Sequence, residues 1–274
     1  MEEVVKDDHV LKVTRAVSIA IIPILTAAFV LLFLFPTRTE QLWSWTITPT
    51  MSALVMGGGY LAGAYFFLRA STVKEWHRVG VGFVAITVFA TMLGAATIVH
   101  WDRFNHDHVS FWAWAGLYFS TPFLLPWLYV RNRRTDPGTL APGDRHVPGP
   151  IRAVVAGVGA AQLAFAAVMY FRPTAIVEHA PWTLTPLTAR SLSAFAAFPA
   201  VLYLMFAFEK RWSALRIPVE VVMIGMFNIG VAAVLAADEF TAGAGLVWGW
   251  RIGLAVAFAL LALLYYAMSR RPSG

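Results

Sequence analysis

The densest chemistry in this chain lies in one short stretch, His100-Trp101-Asp102-Arg103-Phe104-Asn105-His106-Asp107-His108, where three histidines and two aspartates fall within nine positions. Neutral imidazole and carboxylate are suitable donors for a divalent metal such as zinc, and His100, Asp102, His106 and His108 are the candidate ligands. The competing reading is a solvated loop whose side chains bond helix ends. A second constellation combines Arg190 and Arg251 with Asp238 and Glu239. Ionisable groups inside apolar segments are costly and are either paired or functional. These four either form ion pairs or leave the two guanidinium groups as a receptor for a phosphate or carboxylate, which guanidinium binds through two parallel bonds. The candidate ligand-binding set is therefore Arg190, Arg251, Asp238 and Glu239, joined by His100 and Asp102.

Other chemistries have less support. The chain has no cysteine, so thiolate metal sites, disulfides and a cysteine nucleophile are excluded. Haem is disfavoured, because His77 and His100 stand at opposite ends of one apolar segment and His179 lies in a loop. No nucleophile elbow, phosphate loop or dinucleotide fingerprint occurs, and enzyme activity has little to rest on. The cofactor is unknown, a divalent metal being the one candidate. Gln162, Glu220 and Asn228 are further polar groups within apolar runs, and the two amides are expected to form interhelical hydrogen bonds.

The elements that must position these groups are membrane spans. Of 274 residues, 59% are hydrophobic and 13% charged, a balance that belongs in a bilayer. Apolar runs at 16–36, 49–68, 79–100, 110–130, 151–171, 186–208, 217–237 and 246–268 are each near the ~20 residues that cross the hydrocarbon. The fold class expected is an all-α integral membrane protein of eight transmembrane helices. Basic residues cluster before the first run, after the second, between the fourth and fifth, after the sixth and at the end, which places both termini in the cytoplasm. The same distribution accounts for the net charge of +6, and no basic, aromatic-interleaved face suggests nucleic acid. The abundance of arginine over lysine and of alanine suggests a bacterial source, and hence the cytoplasmic (inner) membrane.

The second half of the sequence echoes the first. Trp45-Thr46-Ile47-Thr48-Pro49 returns as Trp182-Thr183-Leu184-Thr185-Pro186, and Trp76, Asp102, Phe104, Trp112 and Trp114 are matched by Trp212, Asp238, Phe240, Trp248 and Trp250. Such a period implies two tandem four-helix repeats, 1–135 and 151–274, joined by a Pro- and Gly-rich cytoplasmic linker at 136–150. An even number of spans per repeat makes the duplication parallel. Each Thr-Pro pair is expected to start a helix, threonine capping and proline at the first position. The tryptophans at the outer boundary are read as interfacial anchors, the triple glycine Gly57-Gly58-Gly59 as a place for a kink, and the Ala156, Ala160, Ala164 row as a close-packing face.

The phrases Trp43-Ser44-Trp45-Thr46-Ile47-Thr48-Pro49 and His100-Trp101-Asp102-Arg103-Phe104 are similar to a group of bacterial multi-pass membrane proteins of no known activity. The resemblance implies a membrane location and assigns no site. Three functional expectations follow from the residues. The first is a protein that binds or transports a small or lipidic molecule, an anionic one included, in an outer-side cleft between the repeats. The second is a structural or accessory subunit of a larger membrane complex, and the third a membrane-embedded metal protein or enzyme using the His100–His108 loop. Its partners are then the lipid bilayer, a small-molecule or lipid ligand, or other membrane subunits.

Overall fold

A computed structural model describes residues 6–140 and 143–270. All eight apolar runs are helical: α1 (Lys12–Phe29, continued by a π turn over Val30–Leu34), α2 (Thr50–Thr72), α3 (His77–Val99), α4 (Val109–Arg133), α5 (Gly149–Phe171), α6 (Pro186–Met205), α7 (Trp212–Leu235) and α8 (Ala244–Ser269). No strand occurs among the described residues. Seven of these helices are long and apolar enough to cross a membrane. The exception is α4, whose 25 residues would reach about 37 Å at 1.5 Å per residue. Its Trp112, Trp114, Tyr118, Trp127 and Tyr129, with Pro122 and Pro126 inside the helix, lower its hydropathy without shortening it.

The centre is built from α2, α3, α6 and α7, with α2 packed on α7 and α3 on α6, while α1 covers α2 and α5 covers α6. Glycine makes the central contacts close. A Cβ on Gly58 would stand 2.5 Å from the Asn228 Cβ, and one on Gly59 2.4 Å from the Phe195 ring. The triple glycine therefore serves close approach, and α2 runs through it without a break. On α5 the packing residue is Gly159, whose added Cβ would meet the Ala200 carbonyl at 2.8 Å. Ala160 and Ala164 are exposed, so the alanine row expected to pack faces outward instead.

Helix ends are tied down by contacts that recur 136 or 137 residues later. Val10 N–H donates to the Lys74 carbonyl at 2.9 Å, and Val147 N–H to that of Lys210 at 2.9 Å. Trp76 N–H reaches the Asp8 carbonyl at 2.6 Å, and Trp212 N–H that of Arg145 at 2.8 Å. The Arg15 guanidinium binds the Ser71 and Val73 carbonyls at the end of α2; that of Arg152 binds those of Phe206 and Ala207 just past α6. These cations offset the unsatisfied carbonyls of a helix C-terminus.

At the opposite end, Asn105 N–H bonds the Ser44 carbonyl at 2.7 Å and Thr241 N–H that of Pro181 at 3.0 Å. Each bond folds a loop over three rings. Trp45 lies 5.1 Å from Phe104 and 5.0 Å from Trp114, while Trp182 lies 5.9 Å from Phe240 and 5.7 Å from Trp250. Trp43, Trp45, Trp114 and Trp182 are consequently buried, which corrects their reading as interfacial anchors. Trp101, Trp112 and Trp248 remain exposed.

The linker is fixed to the second half by Arg211, which forks onto Asp136 at 2.8 and 2.9 Å and onto Glu209 at 2.7 Å, with its side chain 9% exposed. Burial by itself would raise the Asp136 carboxyl, but the guanidinium outweighs it and holds the group below its ordinary range. A carboxyl lowered on folding contributes stability that is full above its unfolded value of about 3.8 and lost as pH falls through the lowered one. The melting temperature in detergent should therefore not vary with pH through this pair near neutrality, where its contribution is full, and should fall under acid as that contribution is lost. Arg211→Leu should cost roughly 3 kcal/mol, because two buried carboxylates lose their partner, and Arg211→Lys should not restore the forked geometry.

Candidate functional site

The sequence-derived site residues separate into helix caps, exposed groups and one pair that meets across the two halves. Glu239 is a cap. Its carboxylate accepts Thr50 N–H at 3.0 Å, the Thr50 hydroxyl at 2.6 Å and Met51 N–H at 2.6 Å. It satisfies orphan donors at the start of α2 and places negative charge at the positive end of that helix. Thr48, expected to cap α2, makes no side-chain cap. Thr185 does cap α6, accepting Thr188 N–H at 3.1 Å, with Pro186 at the first position.

Arg251 is drawn to the end of α7. It donates to the Ala233 carbonyl at 3.2 Å and lies 4.8 Å over the Phe240 ring. Among the described residues no hydrogen bond or ring contact links it to Arg190, and each guanidinium has its own partner. Asp238 is exposed and makes no ion pair among the described residues. Asp102 is exposed too and meets only Arg103, at 3.7 Å.

The three histidines of the metal hypothesis have different tasks. His108 accepts Ser110 N–H and caps α4. His106 packs its ring 4.8 Å from Trp101 and 4.6 Å from Phe111. His100 faces Arg190. Among the described residues no three His, Asp or Glu side chains converge as a metal site. The reason is local: the loop forms a short turn at Trp101–Arg103, and Phe104 turns into the buried ring cluster, which spreads the side chains apart.

Arg190 and His100 do converge. The guanidinium lies 2.6 Å from His100 Nε2, joining the start of α6 to the end of α3. Burial, reinforced by the arginine charge, holds the imidazole below its ordinary range. The neutral ring then accepts a hydrogen bond, and no carboxylate among the described residues neutralises Arg190.

Between the halves lies a cavity of about 130 Å³. Its walls come from α1, α2, α3, α4, α6 and α7 and are apolar: Leu25, Ile86, Phe89, Phe195, Val222 and Met226 among others. The polar side chains in the wall are Thr121, whose hydroxyl donates to the Leu117 carbonyl at 2.6 Å, and a pair of phenols, the Tyr118 hydroxyl donating to that of Tyr60 at 2.9 Å. The Tyr60 oxygen is occupied as acceptor, and its hydrogen remains free to donate. Comparison with family models, with curated proteins and with solved structures found no match.

Sequence reasoning overlooked a third cluster. Asp8 accepts His77 N–H at 3.0 Å and meets His77 Nδ1; His77 Nε2 lies 2.8 Å from Ser213 Oγ; Ser213 donates to Asp144, which also accepts Ser213 N–H at 3.0 Å. A signal was present, since Asp7-Asp8-His9-Val10 and Asp144-Arg145-His146-Val147 stand 137 residues apart, as do Arg15 and Arg152. The amides divide: Gln162 bonds the Ala196 carbonyl across helices at 2.9 Å, whereas Asn228 bonds Ile224 within its own helix. Glu220 gathers Tyr65, Arg69, Arg216 and Tyr265.

These assignments give a simple contrast. Glu239→Ala should lower stability by about 1–2 kcal/mol, as losing a strong N-cap does, whereas Asp238→Ala should leave the melting temperature within about a degree. Equal losses for the two neighbours would contradict the capping role.

Proposed function

We propose that this chain is a multi-pass protein of a bacterial inner membrane that binds a small apolar or lipidic molecule in the cavity between its two halves. In this reading eight helices cross the bilayer as two tandem parallel four-helix repeats, with both termini in the cytoplasm. The recurring backbone ties, arginine caps and ring clusters support the duplication, and the basic residues at the terminal end support the orientation. Helices α2 and α3 are then related to α6 and α7 by a pseudo-twofold axis, and the cavity lies where the pairs face each other.

One observation carries the binding reading: an apolar cavity spanning both halves, with a single free phenolic hydrogen in its wall. A dry cavity of this kind takes up apolar molecules, and a lone donor orients one by an oxygen acceptor. We place the site in this cavity rather than in the outer polar cleft expected from sequence, because Glu239 and Arg251 bond helix ends. Arg190, balanced only by a neutral imidazole, supplies a positive charge near the outer end of the same seam. It suits the anionic headgroup of a lipid whose chain enters the bundle.

The accessory-subunit reading has its own support in α8, which packs mainly on α7. Its Gly245, Gly249 and Gly253 are four apart and exposed, with open space where a Cβ would stand. This small-residue face is of the kind that lets a second transmembrane helix approach. A defined complex recovered in mild detergent and lost in Gly249→Leu would favour it over the binding reading.

Gly225 offers a direct test of binding, since it lines the cavity and its added Cβ would meet only the Ala62 Cβ, at 3.9 Å. Gly225→Leu should fill the space, abolish uptake of N-phenyl-1-naphthylamine and reduce co-purified lipid seen by mass spectrometry, while the melting temperature is kept or raised. Equal uptake by wild type and variant would sink the proposal. The duplication has a separate test. Trp182 Nε1–H donates to Ser52 at 2.9 Å, whereas the indole N–H of Trp45 is buried without a partner, and the position matching Ser52 is Ala189. Under the pseudo-twofold, Ala189→Ser should supply the missing acceptor and stabilise the protein by about 1 kcal/mol. A destabilised variant would count against it.

A further inference from the structure

The chain Asp8–His77–Ser213–Asp144 joins the two halves at the end of the bundle that carries the termini, and its hydrogen bonds can be counted. Three run in series: Asp8 to His77 Nδ1, His77 Nε2 to Ser213 Oγ, and Ser213 Oγ to Asp144. Each needs one hydrogen. A neutral imidazole carries one, a serine hydroxyl one and a carboxylate none. Two hydrogens cannot serve three bonds. The remaining oxygens do not relieve the shortage, because Asp8 Oδ1 and Asp144 Oδ1 each already accept a backbone N–H at 3.0 Å.

We propose that this chain is a proton-binding site on the seam between the halves, holding one proton beyond the imidazole's and the hydroxyl's own. The proton enters from the water at the terminal end and rests along the chain on the His77 ring or on one of the two carboxyls. Filled, the site carries three hydrogen bonds and ties the start of α3 to the start of α7. Emptied, it leaves the His77 and Ser213 lone pairs opposed, with two carboxylates facing each other through them, so the helix ends are free to part. His77 is 5% and Asp8 14% exposed, so water replaces the lost bond poorly.

Among the described residues the surrounding charges do not offer a substitute. Asp136 is forked by Arg211, which also binds Glu209. Glu75 is paired with Arg78 at 3.3 Å, and Asp7 with His9. Arg145 is bound to the Ala267 and Arg270 carbonyls at the end of α8. Arg15 and Arg152 hold the ends of α2 and α6. Lys74 and Lys210 lie on the flanking turns, contributing carbonyls to Val10 and Val147. Arg216 is spent on Glu220 and Tyr265. The acid–imidazole–serine order resembles a nucleophilic triad, but Ser213 Oγ is held between His77 Nε2 and Asp144, which engages both its hydrogen and a lone pair within the chain, so a nucleophile role for Ser213 is not supported.

This inference is independent of whether the cavity holds a ligand. Its test is a magnetic-resonance reading of wild-type protein in lipid nanodiscs at pH 7, with ¹⁵N-labelled histidine and ¹³C-labelled aspartate; Asp8→Asn, His77→Gln and Asp144→Asn serve only to assign signals. One protonated form among the three groups, either a doubly protonated His77 ring or a protonated carboxyl of Asp8 or Asp144, is expected. A neutral ring with both carboxyls ionised overturns the proposal on the wild type alone. Ser213→Ala should break the series and release the proton. In step with that, the wild type's stability, favoured by up to tenfold per pH unit on acidification while one proton is taken up, should lose this slope in Ser213→Ala. Equal slopes in the two proteins would contradict the assignment.

Discussion

Every helix leaves about four N–H groups and four carbonyls without partners at its ends, and in a chain whose helices are this apolar those ends sit where water thins out. Seven charged side chains answer that constraint. Glu239 holds the start of α2, Asp8 and Asp144 the starts of α3 and α7, Arg15 and Arg152 the ends of α2 and α6, Arg145 the end of α8 and Arg251 the end of α7. Several of these caps come from a distant part of the chain. Capping and tertiary assembly are thus the same event: Glu239 cannot finish α2 unless the two halves are already packed.

With those charges committed, what remains is informative. Arg190 keeps a neutral partner, Tyr60 keeps an unused hydrogen, and Trp43, Trp45 and Ser191 keep buried polar atoms without protein partners. All derive from places where matching positions differ. Ser52 receives the Trp182 indole while Ala189 offers nothing at the matching position; Tyr60 and Tyr118 stand where the second half has Ala197 and Leu254. A scaffold with paired contacts satisfies its backbone in both halves, and the departures leave the cavity and the seam chemically uneven.

The helices were legible in the sequence because their signal is local. Each apolar run became a helix of nearly the expected bounds, and the Trp, Thr-Pro and Asp-x-Phe spacing led to the matched ring clusters. The assignment of individual side chains was less legible. Trp45, Trp114 and Trp182 were expected in the interface because an indole favours it, yet they are buried, since the loops fold back over the helix ends. Asp102 and Asp238, matched in sequence, are exposed, and the residue beside Asp238 does the work. The His100–His108 loop looked like a ligand set because spacing alone cannot tell which side chains share a direction.

What the sequence by itself determined is therefore the class and the period: apolar segments long enough to cross a membrane, in an order that echoes itself after 136 or 137 residues. Composition and hydrophobic periodicity fix these because each helix closes its own backbone bonds. Only the tertiary structure decided which charges cap which helix, that Arg190 meets His100 while Arg251 does not, and that Asp8, His77, Ser213 and Asp144 form one chain across the seam. Those pairings join residues as far as 189 positions apart, and they are set by glycine-mediated approach of α2 to α6 and α7, a geometry that no local pattern encodes.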